Sequence, residues 1–317
     1  MRWKPVRFVP DDTKYHFIRI SRFGFFLSGV LCSLAILLFA FNGLNYGIDF
    51  KGGSKISIRT QGPAELDKLR ADLNKLGLGS IEMQQIVGSP SDVLIVIPAQ
   101  GGGDANEQVA QQKVVTALGP TVEIRSKETV GGKVSGELTE QATAAVMLSI
   151  FFVLFYLWAR FEWQFALGAV ISLLHDVVLS IGLFSLIGLE FNLSIIAALL
   201  TIVGYSLNDT VVVFDRVREF LRRYKTMNLA DLIDLSINSV LPRTMLTSVA
   251  TMMALLALYI FGGEVIHGFT FAMIWGVIVG TYSSIFIAAP VLIILGTKRE
   301  GGSAEAKAQQ KGQGKRR

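Results

Sequence analysis

Residues Gly204–Arg223 read GYSLNDTVVVFDRVREFLRR, and the break in the middle of this string decides the fold. Its first half continues an apolar run that begins at Leu193. Its second half carries Asp215, Arg216, Arg218, Glu219, Arg222 and Arg223, the pattern of a helix in water. The junction is where a membrane helix leaves the bilayer. Asp209 stands on the wrong side of it, preceded by Asn208 and followed by Thr210 and the apolar residues Val211 to Phe214. A carboxylate there costs ~2.5–3.5 kcal/mol on insertion scales, so it calls for a reason.

The rest of the chain agrees with a membrane reading. Of 317 residues, 51% are hydrophobic and 17% charged, against roughly 25% charged in soluble proteins. A bilayer core needs about 20 apolar residues per helix. Six segments meet that: Phe23–Phe41, Ala142–Trp158, Phe165–Ile187, Leu193–Phe214, Thr244–Phe261 and Phe269–Leu295. Cys32 is the one cysteine, which excludes an internal disulfide and a cysteine metal site. The apolar stretch after Phe23 lacks the small-residue pattern of a cleaved signal before Asn42 and Asn45. No metal, cofactor or catalytic constellation is expected.

Lysine and arginine set the orientation. They crowd the first 22 residues, the segment 215–243 and the tail 296–317, and are missing from the short connections Gly188–Asn192 and Gly262–Gly268. Both termini are therefore expected in the cytoplasm, with residues 42–141 outside. That outside segment holds ten Lys/Arg against twelve Asp/Glu, so the chain's positive charge lies on its cytoplasmic side and argues no nucleic-acid partner.

Residues 42–141 read as β-α-β-β-α-β. SKISIRT alternates as a strand, and PAELDKLRADLNKLG places Leu66, Leu69, Leu73 and Leu76 on one helix face. SIEMQQIVG and SDVLIVIPA are two strands about a Gly-Ser-Pro turn. ANEQVAQQKVVTALG is a second helix and TVEIRSKETV a last strand. This is the ferredoxin-like order. The fold class expected is thus membrane α-helical, with six transmembrane helices and an inserted α+β ferredoxin-like domain.

Within the spans the polar residues form stripes. Ser172, Asp176 and Ser180 recur every fourth residue, as do Arg243, Thr247 and Thr251, and Tyr205 stands four before Asp209. His175 adjoins Asp176 at mid-span, and Arg243 follows Pro242 at the start of the fifth span. Gly276, Gly280 and Ser284 give the sixth span a face for close helix contact. Plainer roles fit too: Arg243 as an interface anchor, Asp209 in a structural ion pair, His175–Asp176 as packing between helices. Two intramembrane aspartates also suggest a protease that shares a proton between carboxylates. The Gly-x-Gly-Asp arrangement of presenilin-like proteases is absent around Asp176 and Asp209, and a nearby arginine would oppose the shared proton.

Four strings together resemble the SecF family of protein-export membrane subunits: GIDFKGGS after the first span, LLHDVVLSIGLFSL in the third, GYSLNDTVVVFDRVRE in the fourth and SINSVLPRTMLTS into the fifth. The resemblance covers all but the basic tail. It implies a bacterial inner-membrane protein, not an enzyme, that pairs with SecD as half of a resistance-nodulation-division-like transporter. It implies neighbours SecYEG and often YajC and YidC, an unfolded preprotein as substrate, and use of the proton-motive force in late translocation. It assigns proton conduction to Asp209 and Arg243. Asn208, Asp176, His175 and Thr247 are supporting intramembrane polar candidates by their place in the spans. The resemblance makes Asp49, Phe50, Lys51, Gly52 and Gly53 the coupling motif at the base of the periplasmic domain. A proton-coupled small-molecule transporter half of similar architecture is the alternative.

Overall fold

The computed structural model describes residue 10 and residues 13–85, 89–101, 103–120 and 122–297. Arg2, Lys4 and Arg7, the basic tail after Thr297, and residues 86–88 of the expected strand SIEMQQIVG lie outside the described residues.

In chain order the elements are α1 (Phe17–Asn42), β1 (Asn45–Tyr46), α2 (Ile48–Lys51), β2 (Gly53–Arg59), α3 (Leu66–Asn74), β3 (Glu82–Gln85), β4 (Asp92–Pro98), α4 (Asp104–Leu118), β5 (Glu123–Val130) and α5 (Gly132–Arg160). There follow α6 (Trp163–Ile187), β6 (Glu190–Phe191), α7 (Leu193–Arg223), α8 (Leu229–Phe261), α9 (Glu264–Ser283), a π-helix (Ser284–Ala288) and α10 (Ala289–Leu295). The chain divides into two compact units. One comprises Asn45–Met147 with Glu190–Leu193; the other holds the remaining described residues.

The first unit has the β-α-β-β-α-β order in β2, α3, β3, β4, α4 and β5. Its antiparallel sheet runs β3-β4-β2-β5. β2 lies in the middle, paired with β4 from Gly53↔Pro98 to Arg59↔Asp92 and with β5 from Gly53↔Val130. Alternation explains the core: Val93, Ile95 and Ile97 of β4 are fully buried beside Ile56 and Ile58 of β2. Leu73 of α3 and Val114 of α4 close it, with Leu66, Leu69 and Leu76 packed alongside, which is the face their spacing describes. A separate two-residue parallel pair joins β1 to β6, Asn45↔Glu190 and Tyr46↔Phe191.

The second unit is helical. Six helices of the described chain are long and apolar enough to cross a membrane, the sixth running unbroken from Ile266 to Leu295. Each expected span lies within one of them. α6 and the last span fill the middle of the core with Phe165, Ala169, Ala288 and Leu292. Phe23 and Phe26 of α1, Phe151, Phe155 and Trp158 of α5, and Met253 and Ile260 of α8 are exposed, an apolar surface suited to lipid or to another membrane protein. The π-turn precedes Pro290, whose missing N–H removes the regular bond to Phe286.

The segment 215–243, expected as a cytoplasmic connection, is helical apart from residues 224–228. Pro242 lies inside α8 and does not open it. An internal proline costs about 3 kcal/mol. The helix pays that because it buries Leu232, Ile233, Ile237 and Leu241, each worth roughly 1.5–3 kcal/mol. Asn228 caps it by accepting the Ala230 N–H at 2.9 Å.

Candidate functional site

Two sets of residues carry the chemistry, one in each unit. In the α+β unit the string GIDFKGG, Gly47–Gly53, wraps the segment 190–193. Gly47 has no side chain because a Cβ there would come 2.7 Å from Glu190 Oε1 and 3.3 Å from Asn192 Cβ. Its N–H donates to Phe191 O at 2.9 Å. The rings of Tyr46, Phe50 and Phe191 pack mutually, with centroids about 6 Å apart. Lys55 Nζ donates to Glu190 Oε2 at 2.6 Å, both side chains largely buried. Asp49 Oδ2 accepts the backbone N–H of Leu193 at 2.9 Å.

Leu193 is the first residue of α7, so Asp49 satisfies one of the amides a helix leaves open at its start and puts negative charge at its positive end. Asp49 therefore holds the first residue of α7. Gly52 and Gly53 allow this base to close. Gly53 has φ +117°, and a Cβ there would lie 2.3 Å from Ile97 O. Gly52 has φ +70°, and a Cβ there would lie 3.4 Å from Gly132 Cα and Ser135 Oγ. Lys51 is exposed.

In the helical unit the predicted residues fall into two groups. His175 and Asp176 are buried together, Asp176 completely. Asp176 Oδ2 accepts the hydroxyls of Ser206 at 2.5 Å and Ser283 at 2.8 Å. Oδ1 lies 3.0 Å from His175 Nδ1, and His175 Nε2 lies 3.1 Å from Ser28 Oγ. Four helices thus meet on one carboxylate and its neighbour. The glycine face of the last span makes the meeting possible: a Cβ on Gly276 would strike Ile202 Cγ1 at 2.2 Å, and one on Gly280 would press Ser206 Cβ at 3.0 Å. Ser284, the third member of that stripe, bonds only back to Thr281 O. Ser180 donates to the backbone of Asp176, while Ser172 Oγ is buried without a partner.

Asp209 and Arg243 are not joined. No Asp209 oxygen lies within 4.0 Å of the guanidinium in the ion pairs of the described residues. Asp209 is 3% exposed, and its Oδ2 has no hydrogen-bond partner among the described residues. Arg243 is exposed, as are Asn208 and Thr247. Thr247 returns its hydroxyl to Thr244 O at 3.0 Å. Thr210 and Thr244, the neighbours of Asp209 and Arg243, are also buried without partners.

Ser28, Ser206, Tyr282 and Ser283 are the residues that sequence reasoning missed. Glu190 and Leu193 are their counterparts in the other unit.

The profile described as protein export membrane protein SecD/SecF, C-terminal, matches residues 110–298, and the SecD/SecF GG motif matches residues 37–64. The chain is 44% identical over 309 residues to the protein translocase subunit SecF of Rhodobacter capsulatus, covering 93% of this chain and 92% of that one. It is 43% identical over 303 residues to the protein translocase subunit SecDF of Brucella abortus, covering 95% of this chain and 40% of that one. The crystal structure of SecDF from Thermus thermophilus, a translocon-associated membrane protein, is similar with a TM-score of 0.81 and 33% identity. It matches 92% of this chain, which spans 40% of the SecDF chain.

Proposed function

The chain belongs to the SecD/SecF family of protein-export membrane proteins, and from that premise we propose that it converts proton entry at Asp209 into movement of its α+β domain. It is a multi-pass protein of the bacterial inner membrane and a translocase subunit, not an enzyme. In this reading the α+β domain is a ferredoxin-like periplasmic domain and both termini are cytoplasmic. SecD covers the polar residues that this chain leaves open, SecYEG is the channel served, and YajC and YidC are neighbours. The substrate is an unfolded preprotein.

The observation that carries the reading is a buried Asp209 carboxylate with no direct ion pair to Arg243. A structural ion pair would be bonded within the chain. Here the carboxylate is buried with one oxygen unpartnered among the described residues, and the exposed arginine makes no direct ion pair with it. A buried charge without a partner costs several kcal/mol, so Asp209 needs either a proton or a group from another subunit. The proton-motive force supplies ~2.3 kcal/mol per charge per 100 mV, enough to move a group between those states. The start of α7, which carries Asp209, is held by Asp49. In this reading the contact is the route by which a shift of the fourth span reaches the α+β domain.

The test is Asp209→Asn, Arg243→Met and the double variant in cells, scored by protein level and by unprocessed secretory precursors. The proposal expects precursors to accumulate in Asp209→Asn at normal protein level. Normal processing in that variant refutes it. Low protein in each single variant, recovered in the double, would establish a structural pair.

A further inference from the structure

We propose that His175 and Asp176 form a second proton-binding site, which holds one proton between them and discharges it through Ser28 and Tyr282. The proposal follows from hydrogen-bond direction. Tyr282 has one hydroxyl proton, and it donates to Gly24 O at 3.0 Å because a carbonyl can only accept. The 3.0 Å bond between Ser28 Oγ and Tyr282 Oη must then have Ser28 as donor. Ser28 has spent its only proton, so in its 3.1 Å bond with His175 the donor is Nε2–H. At the other end, Oδ2 accepts the hydroxyls of both Ser206 and Ser283. What remains is the 3.0 Å contact between Nδ1 and Oδ1, which needs one proton. Two bare lone pairs would repel there.

The proton can sit on either atom. On Nδ1 the pair is imidazolium and carboxylate. If it crosses, the N–H bond breaks, an O–H bond forms on Oδ1, and both groups become neutral. The pair's net charge is zero in both forms. Release is a different event. Nε2–H passes to Ser28, the proton of Ser28 passes to Tyr282, and the proton of Tyr282 leaves to water. Ser28 then donates to Nε2, Tyr282 donates to Ser28, Gly24 O loses its phenolic donor, and the pair is left with one negative charge. Loss of one proton thus reverses two bonds between α1 and its neighbours and breaks a third. The relay abuts the π-turn, which begins two residues after Tyr282. Among the described residues, the ionisable groups around the pair are Tyr282 on α9 and Cys32 on α1. On α7, Ser206 stands three residues before Asp209.

A role in export rests on the reading that protons drive the cycle; occupancy of the pair does not. The test is ¹⁵N NMR of histidine-labelled full-length protein in a lipid bilayer, with His175→Gln to assign the signal among the three histidines. Wild type is expected to show a protonated Nε2 at neutral pH and to change in one step to Nδ1–H with bare Nε2 as pH rises. Tyr282→Phe removes the last link, lets Ser28 donate into Nε2, and is expected to show the released form already at neutral pH. A bare Nε2 in wild type at neutral pH overturns the proposal, and so does a protonated Nε2 unchanged in Tyr282→Phe. If that variant does not fold, the wild-type titration decides alone. In cells, Tyr282→Phe at normal protein level should leave precursors unprocessed. Normal processing there would remove the pair from export without touching the case for Asp209, which the Asp209→Asn result decides separately.

Discussion

Replacing Asp49 by alanine should loosen the first turn of α7 and little else. The side chain accepts one amide, Leu193 N–H at 2.9 Å. Losing a helix-start acceptor costs about 1 kcal/mol, and losing negative charge at that end costs roughly 0.3–1 kcal/mol more. The sum, about 1–2 kcal/mol, corresponds to a roughly 5–30-fold rise in local opening, since 1.4 kcal/mol is tenfold. Asp49→Asn keeps an acceptor and loses only the charge, so a roughly 2–5-fold rise is expected. The assay is hydrogen exchange of residues 193–196 in the full-length protein, with the β4 amides as an internal reference. Unchanged exchange at Leu193 in Asp49→Ala would refute the latch, because the bond it removes would then hold nothing. An equal rise across β4 would also refute it, since that would mean the whole unit had lost stability.

Two further outcomes follow from the geometry. Asp92 is nearly fully buried and takes a two-pronged bond from Arg59 at 2.6 Å on each oxygen, and this bond holds its carboxyl down at about 2. The folded value lies below the unfolded one, so the pair stabilises the α+β unit above pH ~4 and the contribution, ~2–2.5 kcal/mol, is lost as pH falls through 2. Exchange at β4 should accelerate over that window in wild type, and Asp92→Asn should be destabilised at neutral pH with a flatter acid response. Gly276→Val would drive its side chain into Ile202 at 2.2 Å, an overpacking cost of about 1–3 kcal/mol. Lower yield of folded protein is expected, with partial recovery in Gly276→Val/Ile202→Ala; full yield in the single variant would contradict the close approach.

Composition made the helical unit legible, because a bilayer admits so few backbones that apolar length alone identifies a span. Strand alternation and the leucine face of α3 made the order of the α+β unit legible. Asp209 stood out by position. Its unpaired state did not, since spacing along one helix says nothing of which groups on a neighbouring helix it meets. The Asp176 cluster was half visible. Its serines gave no signal, because a serine in an apolar helix commonly bonds its own preceding turn, as Ser33 does with Gly29 O. Nothing in the string says that Ser206 and Ser283 instead reach across to another helix. Leu193 was invisible as a partner, since what Asp49 binds is a backbone amide, which every residue but proline carries. Pro242 misled because a local breaking tendency was overridden by the core it would have disrupted.

The bond from Asp49 to Leu193 joins residues 144 apart in the chain, and this separation orders events during synthesis. At about 5–20 residues per second, Leu193 emerges some 7–30 s after Asp49. The sheet needs only residues up to Val130, so its hydrophobic core can close while the third span is still being made. The base cannot. Its ring of Tyr46, Phe50 and Phe191 and its ion pair at Glu190 wait for the connection that follows the third span to arrive on the correct side of the bilayer. A chain whose third span inserted the wrong way would leave Asp49 unsatisfied and Lys55 without its partner, beneath a finished sheet. The contacts at Glu190 and Leu193 therefore form last, after the sheet and after the third span have been made.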